Sequence, residues 1–85
     1  MHAITECRAE ENYTLWLRFA DGMEGRVFLG DIVDTAYFHI LRDVETFNRV
    51  QLDPIENTVT WGGDIKLDPE VLYRDLASKA FSPLH

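Results

Sequence analysis

With one cysteine, Cys7, the chain has no partner for an internal disulfide. Basic residues are scarce as well: eight Lys and Arg stand against fifteen Asp and Glu, a formal charge of -7. That balance repels the phosphate backbone that supplies most nonspecific nucleic-acid affinity, so direct nucleic-acid binding is not expected. A small basic protein is the easier match. Long apolar runs are missing; each stretch ends after a few residues at a charge or a glycine, far short of the roughly 20 residues that span a bilayer. Nothing at the N-terminus resembles a charged segment followed by an apolar one, and a cytoplasmic protein without membrane contact is expected.

Sets of metal-binding or catalytic residues are also lacking. His2, Cys7, His39 and His85 show none of the recognised short ligand spacings, and Asp53, Glu56 and Asn57 lack the alternating ligands and glycine of an EF-hand loop. Cys7 and His39 would need a third, orienting residue to act as a thiolate pair, and none is identifiable; Cys7 reads as a small packed residue. Asp31, Asp34, Asp43 and Glu45 are carboxylates in an acidic chain, with nothing that marks two of them as an acid and base pair. Gly62-Gly63 has neither the further glycines nor the lysine of a phosphate loop and reads as a turn. No catalytic residue, metal ligand or cofactor site is therefore assigned.

What is present describes an ordinary globular chain: 46% hydrophobic and 27% charged residues over 85 positions make one domain, residues 1–85, with one core. A fold this small buries around 60 to 65% of its unfolded surface, so association with a partner or with itself would help it. Residues 3 to 8 can form an opening strand, in which Ile4, Glu6 and Arg8 would share a largely charged face. Tyr13, Leu15, Leu17 and Phe19 then alternate with Thr14, Trp16 and Arg18, and a second run follows from Met23 to Leu29. A two-residue turn at Asp21-Gly22 would set Leu17 against Arg26 and Phe19 against Glu24. A three-residue loop Ala20-Asp21-Gly22, with Gly22 left-handed, instead sets Phe19 against Met23, Leu15 against Val27 and Tyr13 against Leu29. One face is then apolar, and the other pairs Arg18 with Glu24 and Trp16 with Arg26, an ion pair and a cation-π contact.

Beyond Gly30 the alternation stops. Phe38 with Leu41 and Val44 with Phe47 give helical spacing, with Asp43 as an N-cap and Glu45 in the first turn. Val50 to Leu52 and Thr58 to Trp61 read as a second hairpin around Asp53-Pro54-Ile55-Glu56-Asn57. Asp68-Pro69-Glu70 starts a last helix to about Lys79, whose Leu72, Leu76 and Ala80 pack on the sheet, with Pro83 beyond its end. The expected fold is α+β: an antiparallel sheet of two hairpins plus an N-terminal strand, short middle helices, and a C-terminal helix packed on the sheet.

The surface feature to weigh is aromatic. Trp16 and Phe28 share the outer hairpin face with Arg18 and Arg26, residue types enriched at protein interfaces, and Trp61 stands beside the glycine pair. The alternative is that the C-terminal helix or the first strand covers these aromatics as a second core layer.

The order and spacing of Leu15-Trp16-Leu17-Arg18-Phe19, Asp21-Gly22, Phe38-x-x-Leu41-Arg42-Asp43, Phe47, Trp61 and Asp68-Pro69-Glu70-x-Leu72-Tyr73 resemble the small bacterial family called domain of unknown function 2442, over about residues 3 to 75. Phe28 replaces an Asp expected in that second strand, and Gly62-Gly63 replaces a turn of Pro-Asn-Gly type. The resemblance implies a noncatalytic binding role, antitoxin-like, beside a second small protein. The eighteen residues from Asp68 onward are too few for the helix-turn-helix that some members carry, so DNA reading does not transfer. Three functions remain open on the sequence: an interaction module for a small basic protein using Trp16, Arg18, Arg26, Phe28 and Trp61; a small hydrolase using acidic residues; and a structural homodimer that buries the aromatic face against its own copy.

Overall fold

In the computed structural model, which describes residues 2–62 and 65–80 (Ala80 by its backbone only), the alternating segments form two antiparallel sheets. Strands β1 (Ile4–Glu10), β2 (Thr14–Phe19) and β3 (Glu24–Phe28) lie in that order in the first. Leu15 is opposite Val27, Leu17 opposite Gly25 and Arg18 opposite Glu24, the register of a three-residue loop. Gly22 has φ +95°, its N–H donates to the Phe19 carbonyl at 3.0 Å, and the Asp21 carboxylate accepts from the Met23 N–H at 2.9 Å. A side chain at Gly22 would be strained in that left-handed conformation.

Two details depart from simple alternation. Ile4 does not share a face with Glu6 and Arg8: it pairs with Phe19 while Glu6 pairs with Arg18, and the bulge between them inverts the pleat. Ile4 is buried, and Glu6 and Arg8 point outward. Tyr13 precedes β2 rather than starting it, at φ +54° beside Asn12 at +60°. Such a conformation costs a β-favouring aromatic about 1 kcal/mol or more; it is offset where the hydroxyl donates to the Arg42 carbonyl at 2.5 Å and the ring meets Phe47 edge-on.

Between the sheets, 3-10 turns at Ile32–Asp34 and His39–Arg42 lead into a short helix α1 (Val44–Phe47). The Asp43 carboxylate accepts from the Thr46 N–H at 3.3 Å, as an N-cap should. Leu41 and Phe47 enter the core, whereas Val44 stays exposed and does not pair inward with Phe47. The second hairpin, β4 (Gln51–Asp53) and β5 (Thr58–Thr60), is a separate sheet that meets β1 where the Ile4 N–H donates to the Asn57 carbonyl at 3.0 Å. After Gly62 the chain returns along β5: the Trp61 N–H donates to the Ile65 carbonyl at 2.9 Å and the Leu67 N–H to the Val59 carbonyl at 3.3 Å. Buried Thr58 and Thr60 donate their hydroxyls to the Leu67 and Ile65 carbonyls, which offsets their desolvation. Gly63 and Pro83 lie outside the described residues.

Helix α2 (Pro69–Ala80) begins where Asp68 caps it, its carboxylate accepting from the Glu70 N–H at 2.9 Å. Leu72 and Leu76 face the core over β3. A Cβ on Gly25 would stand 2.9 Å from Leu76 Cδ2, so the missing side chain is what lets the helix come this close. The start of the chain is tied to the same helix. His2 stacks on Tyr73 with ring centroids 3.6 Å apart and bonds the Glu70 carboxylate through both its backbone N–H and Nδ1, at 2.7 Å each, and the Tyr73 hydroxyl donates to Asp21 at 2.5 Å.

Asp68→Ala should cost about 1 kcal/mol through the lost cap, and Gly25→Val about 1 to 3 kcal/mol by pushing Leu76 away; urea midpoints would measure both. The clamp around His2 also gives stability a pH dependence. The His2 hydrogen bonds hold Glu70 below its usual value of 4.5, and the Tyr73 hydroxyl holds Asp21 below 3.8. Carboxylates with lowered folded pKa stabilise above their unfolded values and lose that contribution as pH falls through the folded ones. Thermal melts should therefore show stability declining from about pH 4.5 downward, and Glu70→Gln should make the decline shallower.

Candidate functional site

The pleat that sends Leu15, Leu17 and Phe19 inward sends nine other side chains to the outer face of the first sheet. Strand pairing sets them in three rows: Glu6, Arg18 and Glu24; Arg8, Trp16 and Arg26; Glu10, Thr14 and Phe28. None of the nine is buried. Helix α2 packs on the opposite face and β1 extends the sheet sideways, so neither forms a second core layer over Trp16.

Charge alternates across this face. Arg18 binds Glu6 through Nη1 and Glu24 through Nη2, each at 2.8 Å, and Arg26 Nε donates to Glu10 at 2.6 Å. The expected cation-π partner changes: Arg26 lies opposite Trp16 in the ladder, but its guanidinium turns to Glu10. Arg8 and Arg18 flank the indole instead, with Cζ 4.7 and 5.3 Å from the ring centroid. The Arg26 hydrogen bond, more than its charge, holds Glu10 below the usual carboxylate range, and Glu24 does the converse for Arg18, whose pKa is raised. Three arginines and three glutamates balance on the face, so the -7 of the chain is carried elsewhere.

The five residues singled out by sequence do not form one patch. Trp16, Arg18 and Arg26 are adjacent. Phe28 holds a corner of the outer face by register, but its ring lies over Gly30, where a Cβ would be 2.0 Å from Phe28 Cζ, and borders the space between β3 and α2. Trp61 is elsewhere, stacked on Phe47 with its Nε1–H donating to the Phe47 carbonyl at 2.9 Å. Arg8, which sequence reasoning passed over, completes the setting of Trp16; the signal lay in the β1–β2 register, which the bulge concealed. Cys7 sits on the inner side, half-buried, and desolvation pushes its thiol pKa up. Among the described residues no three His, Cys, Asp or Glu side chains converge as metal ligands would, and no helix is long and apolar enough to cross a membrane.

Residues 4–78 match the model of a protein family of unknown function, DUF2442. The chain belongs to this family. Neither a curated protein nor a solved structure matches it. The DUF2442 match runs from the first residue of β1 nearly to the end of α2, so the outer face and the helix behind it both belong to the family's domain.

If the Arg26 hydrogen bond is what holds Glu10 low in this DUF2442 domain, Arg26→Ala should raise the Glu10 titration midpoint toward the usual range. Side-chain carboxyl NMR across the acid limb would read the shift, and an unmoved midpoint would assign the effect to Arg8.

Proposed function

We propose that the chain is a noncatalytic interaction module, the antitoxin-like member of a two-protein system, whose outer sheet face contacts a small basic protein. The observation that carries this reading is Trp16, half-buried on the outer sheet face, held between the Arg8 and Arg18 guanidiniums. Tryptophan and arginine are the residues that most often dominate binding energy at interfaces. A ring already flanked by its neighbours loses little conformational freedom when a partner covers it. The exposed ion pairs around it contribute about 0.2 to 1 kcal/mol each and act mainly to orient the partner. The net charge of -7 works at longer range, drawing a basic protein in before contact.

The hydrolase reading finds less support. A general acid near neutral pH is a carboxyl pushed upward by burial or by a like charge. Glu10, Asp21, Asp53 and Glu70 all move the other way, each held ionised chiefly by hydrogen bonds from Arg26, Tyr73, backbone N–H groups or His2. That is the behaviour of structural carboxylates.

Trp16→Ala should fold with a cooperative melt and lose copurification with the product of the neighbouring gene. A folded variant that still copurifies as wild type does would exclude this face. A variant that fails to fold would return Trp16 to a structural role.

A further inference from the structure

A second surface lies around the edge of the same sheet. Strand β3 is one of the two edge strands of the three-stranded sheet. Its ladder to β2 is bracketed by the Phe19 N–H to Met23 carbonyl and Leu29 N–H to Tyr13 carbonyl bonds, each 2.8 Å. The odd-numbered residues therefore bond inward, and Glu24, Arg26 and Phe28 aim their N–H and C=O groups away from the sheet. Among the described residues, one of these groups has a hydrogen-bond partner: the Arg26 carbonyl accepts from Lys79 Nζ at 3.3 Å. Charged side chains at a strand edge guard against unwanted pairing; here the guard is Lys79, reaching the edge from α2, and one exposed ammonium is readily displaced.

Beside this edge runs a groove of about 400 Å³ between β3 and α2, lined by Phe28, Ile32, Phe38 and Val71. Phe28 and Val71 are 51% and 54% exposed, so apolar surface stands open next to unpaired backbone. Asp68, Asp75 and Lys79 also line it; Lys79 Nζ lies 3.1 Å from the Asp75 carboxylate and Asp68 caps α2, so the three leave one net negative charge beside the groove. The occupant is constrained by α2. Paired strands lie about 4.8 Å apart, and Leu76 brings α2 directly over Gly25. Pairing β3 with its own copy would bring a second α2 to the same side of the extended sheet, where packed helices need about 8–10 Å between their axes. A lone extended segment meets no such obstacle.

We propose that β3 and the adjoining groove bind an extended peptide segment of a partner protein, added antiparallel or parallel to β3, with apolar side chains over Phe28 and Val71 and basic ones toward Asp68 and Asp75. Main-chain bonds to Glu24, Arg26 and Phe28 supply affinity, and the groove selects alternate side chains. The proposal rests on the reading of the chain as a binding module but uses a surface separate from Trp16.

The test is an NMR titration of the full chain with the acetylated, amidated hexapeptide (Val-Lys)3, with (Val-Glu)3 as the acidic counterpart. The amides of Glu24, Arg26 and Phe28 should shift and gain exchange protection, and the acidic peptide should bind at least tenfold more weakly. Val71→Ser, which removes apolar surface without adding charge, should weaken (Val-Lys)3 severalfold, Lys79→Ala should tighten it severalfold by freeing the Arg26 carbonyl, and Trp16→Ala should leave it unchanged. No shift at the three amides, equal binding of the two peptides, or binding lost in Trp16→Ala but kept in Val71→Ser would each overturn the groove. None of these outcomes would touch the outer-face reading, which copurification decides separately.

Discussion

The register of the β2–β3 hairpin is the constraint on which the other features of this domain depend. A three-residue loop closed by Gly22 fixes which side chains of two strands go inward, and a one-residue slip would exchange the two faces entirely. In the observed register Leu15, Leu17 and Phe19 are almost fully buried, and Trp16 and Arg18 reach solvent. The core and the candidate site are therefore two outcomes of the same pairing. Asp21 and Gly22 secure it locally, and Tyr73 secures it from a distance by bonding Asp21.

Helix α2 depends on that register through Gly25. Opposite Leu17 on the inner face, Gly25 leaves the space that Leu76 fills, and the helix settles over β3 rather than over the middle of the sheet. Two consequences follow from this off-centre seat. The outer face has no helix packed on it, and the flank of α2 with β3 forms an apolar groove whose lip is an unpaired strand edge. With α2 seated on one face of the first sheet, both surfaces remain.

Electrostatics organises the exposed side of the sheet without dominating its stability. The alternating Glu and Arg rows are solvated, so each pair contributes little on its own, yet together they fix Arg8 and Arg18 against the indole. The carboxylates with shifted pKa values are all held ionised, which ties the domain's stability to neutral pH. The His2, Glu70, Tyr73 and Asp21 clamp links the first residues, the hairpin loop and the last helix through side chains far apart in sequence.

Local chemistry was legible in the sequence: the left-handed Gly22, the caps at Asp43 and Asp68, the hairpin register and the helix with its Leu72 and Leu76 stripe each follow from residues within a few positions of one another. The bulge at the start of β1, which sends Ile4 inward, was not legible, because it answers to the core beneath rather than to the strand's own pattern. Left-handed Tyr13 owes its conformation to Phe47 and the Arg42 carbonyl, and the return of Ile65 to Leu67 along β5 is fixed by the buried hydroxyls of Thr58 and Thr60. The candidate site divided on the same line. Sequence placed Trp16 outward by alternation, but the choice of Arg8 and Arg18 over Arg26 as its neighbours, the turning of Phe28 toward α2 and the inward role of Trp61 were decided by contacts between segments far apart along the chain, which no local pattern encodes.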